Sequence, residues 1–139
     1  MEIFLKSIDR QLVKYYNIHY SIVFEDGVFM LYIGVDLGTS AVKLLLVNER
    51  GDILGEVSKE YPVYYPKSGW SEQNPADWWT AVKSGIAELT AECDKSEVAG
   101  IGAGGQMHGL VMLDEDCNVL RPSILWCDQR TGKECDELT

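Results

Sequence analysis

Three features of the sequence predict an α/β fold with a mixed sheet. Residues 31–63 hold three apolar strand patterns in succession. A capped amphipathic helix starts near Asn74. A short strand and a glycine-rich segment follow it, which gives the order βββαβ.

The elements follow from the residues. Leu31, Ile33 and Val35 alternate with Tyr32 and Gly34, which predicts a first strand over Leu31–Asp36. The turn Gly38-Thr39-Ser40 leads into a second strand, Ala41–Asn48. Glu49-Arg50-Gly51-Asp52 reads as a hairpin turn in which Gly51 supplies a positive φ. A third strand runs from Ile53 to about Val63, with Val57, Tyr61 and Val63 on one face, so the three strands form a meander. A polar loop over Pro66–Asn74 precedes the helix. Asn74 is its cap, Pro75 suits the first position, and Asp77 lies in the first turn, where the helix dipole favours an acid. Trp78, Val82, Ile86, Leu89 and Cys93 mark its buried face, and Trp78 and Trp79 read as core and rim packing. Glu97–Gly102 is a strand, with a sharp backbone bend over Gly102–Gly109. Leu110–Leu113, Val119-Leu120 and Ser123–Trp126 are further short strands. A helix begins at Thr131 and runs to Leu138.

Composition narrows the function. A chain of 139 residues with 46% hydrophobic and 24% charged residues has enough apolar material for one globular domain. A formal net charge of −10 argues against a nucleic-acid partner. No apolar run has the length of a membrane span. The four cysteines form no Cys-x-x-Cys pair and the two histidines add no finger spacing. Reduced thiols in a cytoplasmic protein are expected.

Residues 1–29 differ from the rest and form an N-terminal extension. Leu5, Ile8, Leu12 and Tyr15 recur at helical spacing, and Ile22–Val28 reads as a short strand. The segment lacks the apolar core and cleavage site of a secretory signal. Glu25-Asp26-Gly27 back-translates to a purine-rich run resembling a bacterial ribosome-binding site, just ahead of Met30. Translation from Met30, with residues 1–29 as upstream sequence, is therefore expected. N-terminal sequencing of the protein made from its own promoter checks this, and a terminus near Met1 overturns it.

Two constellations carry chemistry. In the first, Asp36 ends a strand, Gly38, Thr39 and Ser40 form a small hydroxyl-bearing turn, and Lys43 lies on the outgoing strand. Such a turn admits phosphate oxygens close to its backbone. Asp36 would repel them unless a divalent cation intervened, which points to Mg²⁺. A plain β-hairpin with a polar turn is an equal reading of the same residues. In the second, Gln106, Met107 and His108 stand at a strand end, and Trp126 and Asp128 end a later strand. An aromatic face with amide, imidazole and carboxylate groups suits a polyol. A structural histidine and a core tryptophan are the alternative.

Four motifs occur in order: Asp36-Leu37-Gly38-Thr39-Ser40, Trp70-Ser71-Glu72-Gln73-Asn74-Pro75, Gly105-Gln106-Met107-His108-Gly109, and Ile124-Leu125-Trp126-Cys127-Asp128-Gln129-Arg130. Together they resemble the N-terminal portion of the xylulokinase group in the FGGY carbohydrate-kinase family, over residues 31–139. The resemblance implies the actin/Hsp70/sugar-kinase fold with a ribonuclease-H-like core. It also implies ATP- and Mg²⁺-dependent phosphorylation of D-xylulose at its 5-hydroxyl. Asp36 would serve the Mg²⁺–phosphate site, indirectly or through water, with Gly38, Thr39, Ser40 and Lys43 near the transferred phosphate. Gln106, Met107, His108, Trp126 and Asp128 would meet or shape the sugar, and Trp70–Pro75 would be structural.

Members of the family are much longer, so residues 30–139 are expected to be a partial N-terminal domain, a truncated first lobe without its general base. The missing C-terminal lobe, or self-association through the exposed cleft face, would complete it. Sibling kinases for gluconate, ribulose or fuculose, or a non-catalytic module binding a sugar or a partner, are the alternatives. No useful turnover is expected of these 139 residues alone. A coupled assay detecting ATP- and xylulose-dependent turnover by the purified chain would overturn that.

Overall fold

The computed structural model describes residues 30–138. The expectations for residues 1–29 lie outside that range. Strands β1 (Leu31–Leu37), β2 (Ala41–Asn48) and β3 (Ile53–Glu60) form an antiparallel meander. A two-residue strand β4 (Glu72–Gln73) leads into helix α1 (Pro75–Leu89) and a 3-10 turn at Lys95–Glu97. Strand β5 (Val98–Gly105) returns parallel to β1, so the main sheet has the order β3-β2-β1-β5 and is mixed, as expected. Strand β6 (Ser123–Ile124) pairs with β4, and helix α2 spans Gly132–Leu138.

One face of the meander is the core. Leu31, Ile33 and Val35 of β1 and Val42, Leu44 and Leu46 of β2 are buried, in the alternation their spacing predicts. Helix α1 covers them with Ala81 and Gly85 at its centre and Trp78, Val82, Ile86 and Leu89 around it. Asn74 caps the helix, its Oδ1 accepting the Ala76 N–H at 3.1 Å, with Pro75 at the first position and Asp77 in the first turn. Trp79 lies on the rim, 62% exposed. In the β2–β3 hairpin Gly51 takes φ +82°, the positive value the turn requires.

The structure corrects several boundaries. β3 ends at Glu60, short of Val63, because Pro62 has no N–H to continue the ladder. The last bond on that edge is Tyr61 N–H to Ser40 O, 3.1 Å. The helix ends at Leu89, capped by Thr90, so Cys93 packs from the following turn. The bend expected from Gly102 onward starts only after Gly105. Gly102, Gly104 and Gly105 remain in strand because each pairs in parallel register with Gly34, Asp36 and Leu37 of β1. A Cβ on Gly105 would lie 2.7 Å from Leu37 O, so glycine there answers a close approach of two backbones. Leu110–Leu113 and Val119-Leu120 are joined by isolated bridges only, Leu110 to Ile124 and Leu113 to Val119. The turn between them is held by Asp114, whose Oδ1 accepts the N–H groups of Asp116 and Asn118 at 3.0 and 2.8 Å.

Candidate functional site

β1 and β5 run parallel, so their carboxyl ends lie side by side, and each opens into one of the two constellations. The turn after β1 is tight. The Gly38 N–H donates to Ala41 O at 3.0 Å, and a Cβ on Gly38 would stand 3.0 Å from that same oxygen. The Gly38 carbonyl accepts the Tyr61 hydroxyl. Burial, and then the charge of Asp36, push the Tyr61 phenol up to about 12, so it remains a donor at physiological pH. Ser40 is exposed at the rim of the turn.

Asp36 is exposed on the sheet face opposite the core, across from Lys43 on β2 and Gly104 on β5. Glycine at 104 leaves open space beside the carboxylate. An exposed carboxylate with a glycine beside it on the neighbouring strand fits a hydrated hard cation. Lys43 sits next to Asp36 in register, but its Nζ pairs with Glu56 Oε1 at 3.0 Å. That pair is half-exposed on both sides and is of the weak kind that an anion can displace.

The second constellation begins where β5 ends. The Gln106 N–H donates to Leu37 O at 2.8 Å, which ties the two strand ends together. The Gln106 side chain turns toward the Gly38–Ser40 turn: Oε1 accepts the Thr39 hydroxyl at 3.2 Å, and Nε2 lies 3.4 Å from Gly38 O and 3.3 Å from Gln73 Oε1. Its amide is therefore engaged by the protein at both ends. The Trp126 Nε1–H donates to Thr39 Oγ1 at 3.3 Å, so Trp126 and the turn after β1, 87 residues apart, are in direct contact. Trp126 is 59% exposed and Met107 69%, so both present apolar surface to solvent.

His108 makes the bend. Its φ is +62°, although glycine stands next in sequence. A non-glycine residue in the left-handed region is strained. His108→Gly is expected to raise stability by roughly 0.5–1 kcal/mol, read as a higher urea midpoint, while removing the imidazole from the site.

Asp128 takes a different place from the hydroxyl acceptor that its spacing suggests. Its Oδ2 accepts the Ser71 N–H at 2.7 Å and Arg130 Nη2 at 2.6 Å, and its Oδ1 accepts the Arg130 N–H at 2.9 Å and Nε at 2.8 Å. Its side chain is 3% exposed. The bidentate guanidinium holds the Asp128 carboxyl well below the usual carboxylate range. Arg130 also pairs with Glu72 Oε1 at 2.8 Å and stacks on Trp70, 3.7 Å from the ring centroid. Arg121 Nη2 reaches the same Glu72 oxygen at 3.2 Å. Asp128 thus shapes the site by fastening the loop after Trp126 to the Gly69–Glu72 segment. Leu125 N–H to Ser71 O at 3.0 Å and Gln129 N–H to Gly69 O at 2.8 Å complete that seam.

Sequence reasoning picked out Thr39, Gln106 and Trp126 but missed the residues that join them. Gln73, Glu72 and Arg130 stand in motifs singled out above, yet no periodicity marks a buried glutamine or a buried ion pair.

A three-stranded meander, a covering helix and a fourth strand parallel to the first are the ribonuclease-H-like core found in the actin/Hsp70/sugar-kinase fold. Residues 31–139 match the N-terminal domain of the FGGY family of carbohydrate kinases, and the chain belongs to that family. A xylulose kinase of Bacillus subtilis is 50% identical over 109 residues, which are 77% of this chain and 22% of that kinase. The solved structure of a xyloylose kinase from Brucella ovis superposes with a TM-score of 0.74 at 47% identity, over 78% of this chain and 23% of that one. A gluconate kinase from Lactobacillus acidophilus gives the same TM-score of 0.74 at 34% identity, over 78% of this chain and 22% of that one. The chain thus spans about a fifth of the length of the relatives it matches.

Proposed function

We propose that residues 30–139 are the part of a xylulokinase that carries the sugar wall and one side of the phosphate site. The reaction is the transfer of the terminal phosphoryl group of ATP to D-xylulose, giving ADP and D-xylulose 5-phosphate. The observation that carries this reading is the contact of Trp126 with Thr39 at 3.3 Å, which joins an exposed aromatic face to a phosphate-type turn. A phosphoryl acceptor resting on Trp126 would lie next to phosphates received at Thr39 and Ser40. The xylulose kinase relatives support the choice of sugar.

In this reading Asp36 would help to hold Mg²⁺, which when bound would neutralise phosphate charge. Lys43 exchanges Glu56 for a phosphate oxygen. Gly38 keeps the turn narrow enough for close approach. His108 and Met107 meet the sugar hydroxyls and carbon skeleton, and Trp126 covers its C–H face. Gln106 serves the sugar indirectly, through Thr39. Asp128 is committed to Arg130 and does not act as general base, so the base is assigned to another part of the complete protein. The free thiols of Cys93, Cys117 and Cys127 accord with a cytoplasmic location. Exposed Ile101, Met107 and Leu120, at 58%, 69% and 58%, suit contact with a second lobe or a second copy.

A chimera tests the reading. Residues 31–139 replace the corresponding segment of the Bacillus subtilis xylulose kinase. D-xylulose turnover within about tenfold of that kinase is expected, and gluconate, ribulose and fuculose should be poorer acceptors. His108→Ala in the chimera should lower kcat/KM for D-xylulose by about a hundredfold or more. A folded chimera that prefers another sugar, or ignores His108→Ala, overturns the assignment.

A further inference from the structure

Gln73 is fully buried, and every hydrogen-bonding position of its amide is filled. Nε2 donates to Thr39 O at 2.7 Å and to Pro62 O at 3.1 Å. Oε1 accepts Trp78 Nε1–H at 3.1 Å and Gln106 Nε2–H at 3.3 Å. An indole N–H can only donate and a backbone carbonyl can only accept, so the amide can face one way only. That orientation propagates. Gln106 must turn its NH₂ group to Gln73, which leaves its oxygen for Thr39. The Thr39 hydroxyl proton then goes to Gln106, and its lone pair is left for Trp126 Nε1–H. Every donor in the chain from Trp126 to Gln73 points inward, and Gln73 discharges onto two backbone carbonyls. One of those is Thr39 O, in the phosphate turn itself.

We propose that Gln73 is a positioning residue that couples the phosphate turn to the sugar wall. It sets the proton direction of the Gln106–Thr39–Trp126 chain and anchors the turn from below. Gln73 touches neither proposed ligand. Its effect on Trp126 is transmitted through Gln106 and Thr39. The catalytic consequence rests on the kinase reading, whereas the coupling is a property of this chain alone.

The test follows the indole N–H resonance of Trp126 in the full 139-residue chain labelled with ¹⁵N, assigned by its loss in Trp126→Phe. Gln73→Glu keeps an acceptor for Trp78 and Gln106 but removes both donors. Thr39→Val cuts the chain next to Trp126. Gln73→Glu should displace the Trp126 resonance toward its position in Thr39→Val and speed its exchange with D₂O about tenfold, the size of one hydrogen bond of ordinary net strength. In the Thr39→Val background, Gln73→Glu should add nothing at Trp126. Val57→Ala, which loosens the core away from this chain, should leave the resonance in place. An unmoved Trp126 signal in Gln73→Glu, additive effects in the double variant, or an equal shift in Val57→Ala each overturns the proposal.

Should Gln73→Glu fail to fold, Trp78→Phe removes one donor from the same amide. It must displace the Trp126 resonance for the proposal to stand. In the chimera, Gln73→Glu should lower kcat/KM for D-xylulose. A folded chimera without turnover refutes the kinase reading, and the resonance still decides the coupling.

Discussion

Gly85→Val is expected to cost the domain a large part of its stability, about 2–3 kcal/mol. Gly85 sits in the middle of α1, where glycine is a poor helix former, so local propensity alone would favour almost any replacement. Packing decides otherwise. A Cβ at this position would stand 2.4 Å from Leu44 Cδ1 and 3.4 Å from Cδ2. Leu44 is fully buried on the central strand β2, between β1 and β3, and has no solvent to retreat into. The gain in helix propensity from glycine to valine is a few tenths of a kcal/mol, and the overpacking exceeds it severalfold.

The cause can be isolated. Leu44→Ala alone should cost about 2–5 kcal/mol through loss of burial and the cavity left behind. In the double variant Gly85→Val/Leu44→Ala, the valine enters the space that Leu44 vacates. The pair should therefore be more stable than the sum of the single losses by about 1–3 kcal/mol. Urea unfolding of the four proteins measures this. Strict additivity would show that Gly85 and Leu44 do not share that volume.

Gly85 also shows where sequence reading stops. The helix itself was legible, because Asn74, Pro75, Asp77 and the spacing of Trp78, Val82, Ile86 and Leu89 all state local preferences. Why position 85 lacks a side chain was not, because the reason lies 41 residues away on β2. The meander was legible for the same local reasons, since alternation along each strand reports which face is buried. β4 was missed because two residues carry no period, and β6, expected over Ser123–Trp126, spans only Ser123–Ile124. The glycines at 102, 104 and 105 were read as a bend because a glycine's freedom is visible in a sequence, whereas the neighbouring backbone that exploits it is not. The actual bend falls on His108, where glycine would ordinarily be expected.

The site divides in the same way. Asp36, Thr39, Gln106 and Trp126 were identifiable as polar or aromatic groups at strand ends. Which of them are open to a ligand depended on partners that only folding supplies. Asp128 illustrates this: a carboxylate after a strand is a reasonable ligand, until Arg130 and the Ser71 N–H take its oxygens.

Arg130→Ala should therefore be the most damaging polar substitution in the site region, with a loss that depends on pH. Arg130 is held between Asp128 and Glu72, whose side chains are 3% and 11% exposed, and it stacks on Trp70. Its removal leaves Asp128 buried with backbone N–H donors only, and leaves Glu72 with Arg121 as its remaining cation. An uncompensated buried carboxylate is destabilising in its charged form.

The sign follows from linkage. In the wild type the folded-state pKa of Asp128 is depressed, so its contribution to stability is present above the unfolded value, about 3.9, and is lost as pH falls through the folded one. In the variant, desolvation without the guanidinium moves that pKa up, so protonation relieves the strain at milder acidity. The difference in Tm between the two proteins should be greatest near pH 7. It should shrink from about pH 5 downward, and thermal melts across that range measure it. Arg130→Lys should recover only part of the loss, because an ammonium cannot reproduce the bidentate contact or the stacking on Trp70. A Tm difference that stays constant with pH would mean that Arg130 acts by packing on Trp70 and that its charge is incidental. Trp126 provides the second reading. Its loop is fastened to the Gly69–Glu72 segment through Asp128 and Arg130, so Arg130→Ala should weaken the Trp126–Thr39 contact and speed indole exchange at Trp126 even at temperatures where the core is intact.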